Sequence, residues 1–138
     1  MRRPRAPIPV EEWTDPRHRK GYAGERIAMT HLLRAGWRIE AHRFRLGHHD
    51  VDLVARLGNL VAFIEVKTRS SVRFGHPEEA VDQRKREVLR RLAELWRARF
   101  GLPRDRYRFD LIAIEHGSDP STSPQVRHIE NAWGCVDK

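Results

Sequence analysis

Two carboxylates facing each other across a short hairpin, with an ammonium two residues further on, can hold a divalent cation beside a phosphate. Residues 50–67 of this 138-residue chain have that makeup. Gly58-Asn59 is a two-residue turn signal between the apolar runs Val51–Ala55 and Leu60–Ile64. A hairpin closed on that turn sets Asp52 opposite Glu65 and Asp50 opposite Lys67. Side chains alternate along a strand, so these four residues are expected on one face. A four-residue loop about the same turn keeps the pairing, and a three-residue loop breaks it. Like charges set opposite one another destabilise a hairpin unless something compensates them. Their neighbours Leu53, Val54, Phe63, Ile64 and Val66 are apolar, so the carboxylates are expected out of bulk water. A cation between Asp52 and Glu65 relieves the repulsion, and hard oxygen ligands suit Mg²⁺ or Mn²⁺ rather than Zn²⁺. The competing reading is an exposed hairpin end at which Lys67 simply pairs with the acids.

The elements that must position this hairpin follow from periodicity. Ala28, Leu32 and Ala35 recur at helical spacing, which predicts a helix over 22–35 stopped by Gly36. Trp37, Ile39 and Ala41 alternate with Arg38, Glu40 and His42 as a half-exposed strand. After a loop with Phe74-Gly75 and Pro77, a long helix is expected over 78–99. Its inner stripe is Val81, Val88, Leu92, Leu95 and Trp96, and Gly101 and Pro103 end it. Phe109–Glu115 is apolar on both faces and reads as an interior strand. Val126–Trp133 adds an edge strand. The fold class is therefore α/β, a mixed sheet flanked by helices in the order α-β-β-β-α-β(-β). Residues 1–19 form a basic Pro-rich arm, 20–116 the domain, 117–125 a Ser/Pro-rich linker, and 126–138 the edge strand and tail.

Charge suggests a partner. Lys and Arg number 27 against 19 Asp and Glu, a net charge of +8, and 23 of the 27 are Arg. Guanidinium forks match phosphate, so nucleic acid is the first partner to consider; codon composition is the rival explanation for the Arg bias. Residues 84–99 carry seven basic and two acidic side chains. Arg86, Arg90 and Arg97 are spaced as a stripe expected opposite the apolar one, the alternative being an ordinary solvated face. No base-reading motif is present, so recognition would be through backbone and shape. The longest apolar run, Leu60–Ile64, is far too short to span a membrane, and no secretory signal follows the basic N-terminus. The single Cys135 makes no internal disulfide, and a cytoplasmic location is expected. His48 and His49 point opposite ways on an extended segment and lack a third soft ligand, which argues against zinc.

Asp52 followed by Glu65-Val66-Lys67 resembles the signature of the PD-(D/E)-x-K nuclease superfamily, which includes Holliday junction resolvases and many restriction enzymes. More closely, the chain resembles the YraN-like family of small bacterial proteins in that superfamily. The matching stretches include Gly24-Glu25-Arg26-Ile27-Ala28, Asp52-Leu53-Val54-Ala55, Phe63 to Arg69, Phe74-Gly75, Ala80-Val81, Lys85, Arg108-Phe109-Asp110 and Asn131-Ala132-Trp133. They span about residues 21 to 133 in the family's order. Two positions depart from the pattern. His49-Asp50 stands where the family usually has Gly-Glu, and His42 or Arg43 stands where it usually has Asn near the end of the first strand.

The resemblance implies a restriction-endonuclease-like fold and metal-dependent cleavage of phosphodiester bonds in branched or structured DNA. Asp52 and Glu65 would be metal ligands, with the Val66 carbonyl as a further one and Mg²⁺ or Mn²⁺ as the cofactor. Lys67 would orient the attacking water or neutralise developing charge. Glu25, on the first helix, would be a third acidic contributor; otherwise it is an exposed first-turn Glu favoured by the helix dipole. Arg69, Arg73, Gln83, Lys85, Arg86 and Arg90 are candidates for nucleic-acid contact. The alternative from another class is a catalytically inactive nuclease fold that binds nucleic acid or protein. A small-molecule phosphatase is disfavoured by the long basic helix. Whether two copies pair as a homodimer to cut both strands is left open.

Overall fold

The computed structural model describes residues 19–69, 81–117, 119 and 121–133. The N-terminal arm, Arg73, Phe74-Gly75, residues 78–80 at the expected start of the long helix, and Cys135 lie outside them. Among the described residues the order is α1 (Arg19–Arg34), β1 (Arg38–Leu46), β2 (His49–Leu57), β3 (Leu60–Arg69), α2 (Gln83–Phe100), β4 (Arg106–Glu115) and β5 (Gln125–Ile129). One sheet runs β1-β2-β3-β4-β5. β3 and β4 pair in parallel and the other neighbours pair antiparallel. This is the expected mixed α/β arrangement. α2 is the crossover that a parallel pair requires, since no hairpin can join parallel strands.

Each helix covers one face of the sheet. Ala28 and Leu32 of α1 pack with Trp37, Leu53, Ala62, Ile64 and Ile112. Leu89, Leu92, Ala93 and Trp96 of α2 pack with Val54, Phe63, Phe109 and Leu111 on the other face. Trp96 is the hub of the second layer, with its ring 5.0 Å from Phe44 and 4.8 Å from Phe100. Burial of a side chain this large contributes on the order of 3 kcal/mol or more to holding α2 on the sheet.

Three expectations change. α2 begins at Gln83, because the Asp82 carboxylate caps it by accepting the Lys85 N–H at 2.9 Å. Its inner stripe uses Leu89 and Ala93, whereas Val88 and Leu95 are only half-buried. At about 100° per residue, Arg86, Arg90 and Arg97 therefore flank the apolar stripe instead of opposing it. Finally, β5 ends at Ile129 and the chain turns through Glu130–Trp133. Trp133 stacks on Phe109 at 6.1 Å rather than extending the strand.

Candidate active site

The β2–β3 hairpin turns at Gly58-Asn59, and Gly58 has the positive φ of 63° that a tight hairpin turn needs. Its ladder runs from Leu57↔Leu60 to Leu53↔Ile64, the register expected from the sequence. Beyond Leu53 the paired backbone gives way to side chains. Asp52 N–H donates to Glu65 Oε2 at 3.2 Å, and Val66 N–H donates to Asp52 Oδ2 at 2.8 Å. The two acids thus close the ladder themselves, each using one oxygen on the opposite strand's backbone. That leaves Asp52 Oδ1 and Glu65 Oε1 for other partners.

The common face expected for Asp50, Asp52, Glu65 and Lys67 does not survive intact. Val51 packs with Val54 on the α2 side while Leu53 packs on the α1 side, so alternation fails around Asp52. The cause lies on the neighbouring strand. Between the pairs His42↔Leu53 and Phe44↔Val51, Arg43 faces Asp52 with a left-handed φ of 53°. Ala41 and Phe44 both join the α2-side layer, so the two residues between them both turn toward α1. There His42 Nε2 lies 2.6 Å from Glu25 Oε1. Arg43 donates through Nε to Oε1 at 2.9 Å and through Nη2 to Oε2 at 2.8 Å.

Glu25 is 4% exposed, which excludes the solvent-facing alternative. Burial alone would raise its pKa, but the bonds from His42 and Arg43 outweigh it and hold the carboxyl below its ordinary value. Both of its oxygens are engaged, so it acts on Asp52 as a nearby negative charge. Gly24, the residue before it, lies so close to β3 that an added Cβ would collide with the Thr68 side chain. That close approach fixes where α1 presents Glu25.

Asp52 and Glu65 are held in the opposite electrostatic state. Burial pushes the Asp52 carboxyl up, the Val66 N–H partly offsets this, and the Glu25 charge adds to the rise. Burial and then the charge of Asp52 push Glu65 up to about 7. Lys67 is half-buried and lowers the proton affinity of both acids through its field. Its ammonium has no hydrogen bond or ion pair among the described residues.

Asp50 pairs not with Lys67 but with Lys85. The Lys85 ammonium donates to Asp50 O and Oδ1, both at 3.0 Å, and lies 3.6 Å from Glu65 Oε1. Burial would lower the Lys85 pKa, but Glu65 and Asp50 raise it on balance. The Asp82 cap starts the helix at the point that brings Lys85 here. Of the other candidate contacts, Gln83 bonds Glu87 at 3.2 Å on the exposed surface. Arg86 donates to Val81 O at 3.0 Å and lies over the Trp133 ring, and Arg90 pairs with Glu87 at 3.2 Å. Arg69 is half-buried at the end of β3, where its carbonyl accepts the His116 N–H. The structure therefore gathers Asp52, Glu65, Lys67 and Lys85, with Glu25 behind them, and leaves Gln83, Arg86 and Arg90 along α2.

The donor set fits a hard cation. Asp52 and Glu65 are crowded carboxylates that bind protons too readily, the condition a divalent ion relieves. Among the described residues no group of three His, Cys, Asp or Glu could hold a metal. Mg²⁺ commonly takes one or two carboxylates and completes its shell with water and phosphate oxygens, which suits this pair. Val66 meets Asp52 through its N–H, so that end of the residue is already committed.

Two buried nodes escaped the sequence reading. Arg56 donates to Glu40 Oε1 at 2.7 Å and grips Asp105 at 2.7 and 2.9 Å. Asp110, 0% exposed, accepts from Arg108, His128 and the Asn131 N–H. A charged residue in an apolar strand such as Phe109–Glu115 is the signal that could have revealed Asp110.

A mixed sheet with an acid on β2, Glu-x-Lys on β3 and a buried helix Glu behind them defines a protein of the PD-(D/E)-x-K nuclease-like class. Residues 24–114 match Uncharacterised protein family UPF0102. A UPF0102 protein of Symbiobacterium thermophilum is 41% identical over 115 residues, covering 83% of this chain and 96% of the relative. Another, from Moorella thermoacetica, is 44% identical over 98 residues, covering 71% and 82% respectively. A third, from Caldanaerobacter subterraneus, is 36% identical over 113 residues, covering 82% and 93%. The chain belongs to the UPF0102 family, the YraN-like group. No helix among the described residues is long and apolar enough to cross a membrane.

Proposed function

We propose that this protein is a metal-dependent endonuclease acting on branched or otherwise structured DNA, with Mg²⁺ or Mn²⁺ as its cofactor. The observation that carries the reading is the interlock of Asp52 and Glu65. Buried Glu65 accepts the Asp52 N–H and half-buried Asp52 accepts the Val66 N–H, each acid keeping its other oxygen off the backbone, beside the Lys67 ammonium, which has no hydrogen bond or ion pair among the described residues. Asp52 and Glu65 would hold the cation, with the Val66 carbonyl as a further ligand. The bound ion would polarise a phosphate oxygen and acidify a water. Lys67 would neutralise charge gathering on the phosphate, and Lys85 would partly offset the rise of the Glu65 carboxyl when the ion is absent. Arg69, at the end of β3, would contact the nucleic-acid backbone, and Arg73 stays a candidate contact from the sequence.

The test is a panel of junction, flap, single-stranded and duplex substrates incubated with Mn²⁺ or EDTA. Cleavage in Mn²⁺ that disappears in Asp52→Asn and in Lys67→Ala is the expected result. Cleavage unchanged in both variants overturns the assignment. Binding without cleavage on every substrate would instead leave a nuclease fold that serves as a binding module.

A further inference from the structure

Lys85 stands where a helix least favours a cation. The first turn of α2 holds Arg84, Lys85 and Arg86 and no acid, at the end of the helix where unpaired N–H groups make the dipole positive. Two acidic residues hold the Lys85 charge there. Its ammonium donates to Asp50 O and Oδ1, both at 3.0 Å, and lies 3.6 Å from Glu65 Oε1. The two attachments differ in kind. Asp50 accepts hydrogen bonds, whereas the 3.6 Å approach to Glu65 is an ion pair with no hydrogen bond in it.

They also differ in place. The Glu65 side chain is 5% exposed and that of Asp50 57% exposed, with Lys85 between them at 28%. The ammonium therefore spans the step from solvent to the buried acid. Glu65 Oε2 accepts the Asp52 N–H, so Oε1 is the oxygen that a cation on the acid pair needs. A divalent ion on that oxygen and an ammonium 3.6 Å from it repel each other. The flexible four-carbon stem of Lys85 lets its charge move outward, and Asp50 already presents two oxygens on that side.

We propose that Lys85 is a positioning residue for the divalent ion: its ammonium is the counter-charge of Glu65 in the metal-free protein and withdraws onto Asp50 as the ion arrives. Asp50 is then the berth without which the site loads poorly. The proposal rests on the reading that Asp52 and Glu65 hold a divalent cation. If Lys85 stayed in place, Asp50 would act on the ion only through its own field, and its contribution would be the same with or without Lys85.

The experiment is calorimetric titration of the full chain with Mn²⁺, without nucleic acid, at a pH well above the value of about 7 to which the Glu65 carboxyl rises. Lys85→Met should tighten Mn²⁺ binding by on the order of tenfold, the scale for a unit and a double charge a few ångströms apart in water. Lys85→Arg keeps the charge and should bind near the wild-type affinity. Asp50→Asn should weaken binding about tenfold with Lys85 in place and less than about threefold in the Lys85→Met background. Asp50→Glu should recover most of that loss. The same cycle between Asp50 and Lys67, whose ammonium has no hydrogen bond or ion pair among the described residues, should be additive. Asp50 and Lys85 both reach solvent, so each variant should melt as a folded protein. Equal effects of Asp50→Asn in the two backgrounds, an equal coupling to Lys67, or no tightening in Lys85→Met overturns the proposal. The cation reading is judged separately by Asp52→Asn in the same titration. Mn²⁺ binding that this variant abolishes, with an additive Asp50–Lys85 cycle, sinks the berth alone. Binding that it leaves intact, or none by the wild type, sinks the cation reading and the berth with it. The expected cycle without cleavage on any substrate sinks the nuclease reading and leaves the berth standing.

Discussion

Glu65→Gln keeps an oxygen where the Glu65 carboxylate accepts the Asp52 N–H and removes one buried negative charge. The Glu65 carboxyl rises from an ordinary 4.5 to about 7 in the fold, through burial first and the charge of Asp52 second. At 1.36 kcal/mol per unit, the ionised carboxylate costs the native state about 3 kcal/mol. The direction follows from proton counting. Between pH 4.5 and 7 the folded protein holds a proton that the unfolded chain has released. Wild-type stability therefore falls as pH rises through that window and levels off above it. Gln has no proton to lose, so the variant should lack the part of this decline that Glu65 causes and keep only the part due to the raised Asp52 carboxyl. It should match the wild type near pH 4 and exceed it by about 3 kcal/mol at pH 8, or roughly 10 °C in Tm for a domain of this size. Thermal or urea melts from pH 4 to 8 in EDTA read this directly. Saturating Mn²⁺ at pH 7.5 should then stabilise the wild type, by about 2.7 kcal/mol at a hundred times Kd, and leave the variant unmoved. Parallel pH profiles, or a Gln variant less stable than wild type at pH 8, would refute the claim that a crowded, desolvated acid pair sits here.

Arg56→Ala should cost about 2 kcal/mol in urea unfolding, because it removes the guanidinium from two carboxylates, Glu40 and Asp105, the side chains of which are 9% and 2% exposed, and leaves them with Arg38 and the Leu102 N–H. In Asp110, burial pushes the carboxyl up, but the bonds from His128, Arg108 and Asn131 outweigh it and hold the pKa below 3.8. Asp110→Asn should therefore be less stable than wild type at neutral pH, and the gap should close as pH falls through that depressed value; a constant gap counts against the network. Gly24→Val should lower the melting temperature and weaken Mn²⁺ binding together, because it drives α1 off Thr68 and carries Glu25 with it. Isothermal titration on a variant that is still folded, with Mn²⁺ affinity unaltered, would show that α1 does not set the field at Asp52.

Much of the scaffold was legible because local rules and tertiary packing agree in it. Gly58-Asn59 closes the hairpin in the register that its apolar flanks demand, since a slip of one residue would turn Phe63 and Ile64 to the wrong layers. Leu92 and Trp96 recur at helical spacing and are buried as expected. The start of α2 was missed because Asp82 reads as one more polar residue until its carboxylate is seen on the Lys85 N–H. The Arg86–Arg90–Arg97 stripe was displaced by the choice of Leu89 and Ala93 as core, which depends on where the sheet lies and not on periodicity.

From the sequence alone came the identity and order of the chemical groups: two acids facing across one turn, a lysine two residues on, and a glutamate on the preceding helix. Which of them share an environment was decided in three dimensions. A single left-handed residue, Arg43, rotates the strand faces so that Glu25 is bound by its neighbours while Asp52 and Glu65 are left to each other. Lys85 arrives from a helix twenty residues away in the chain, because α2 must cross the sheet to make β3 and β4 parallel. Spacing along a chain determines which side chains are neighbours on one element. Charge balance in a desolvated site is a sum over every element that reaches it, and only the packed fold sets that sum.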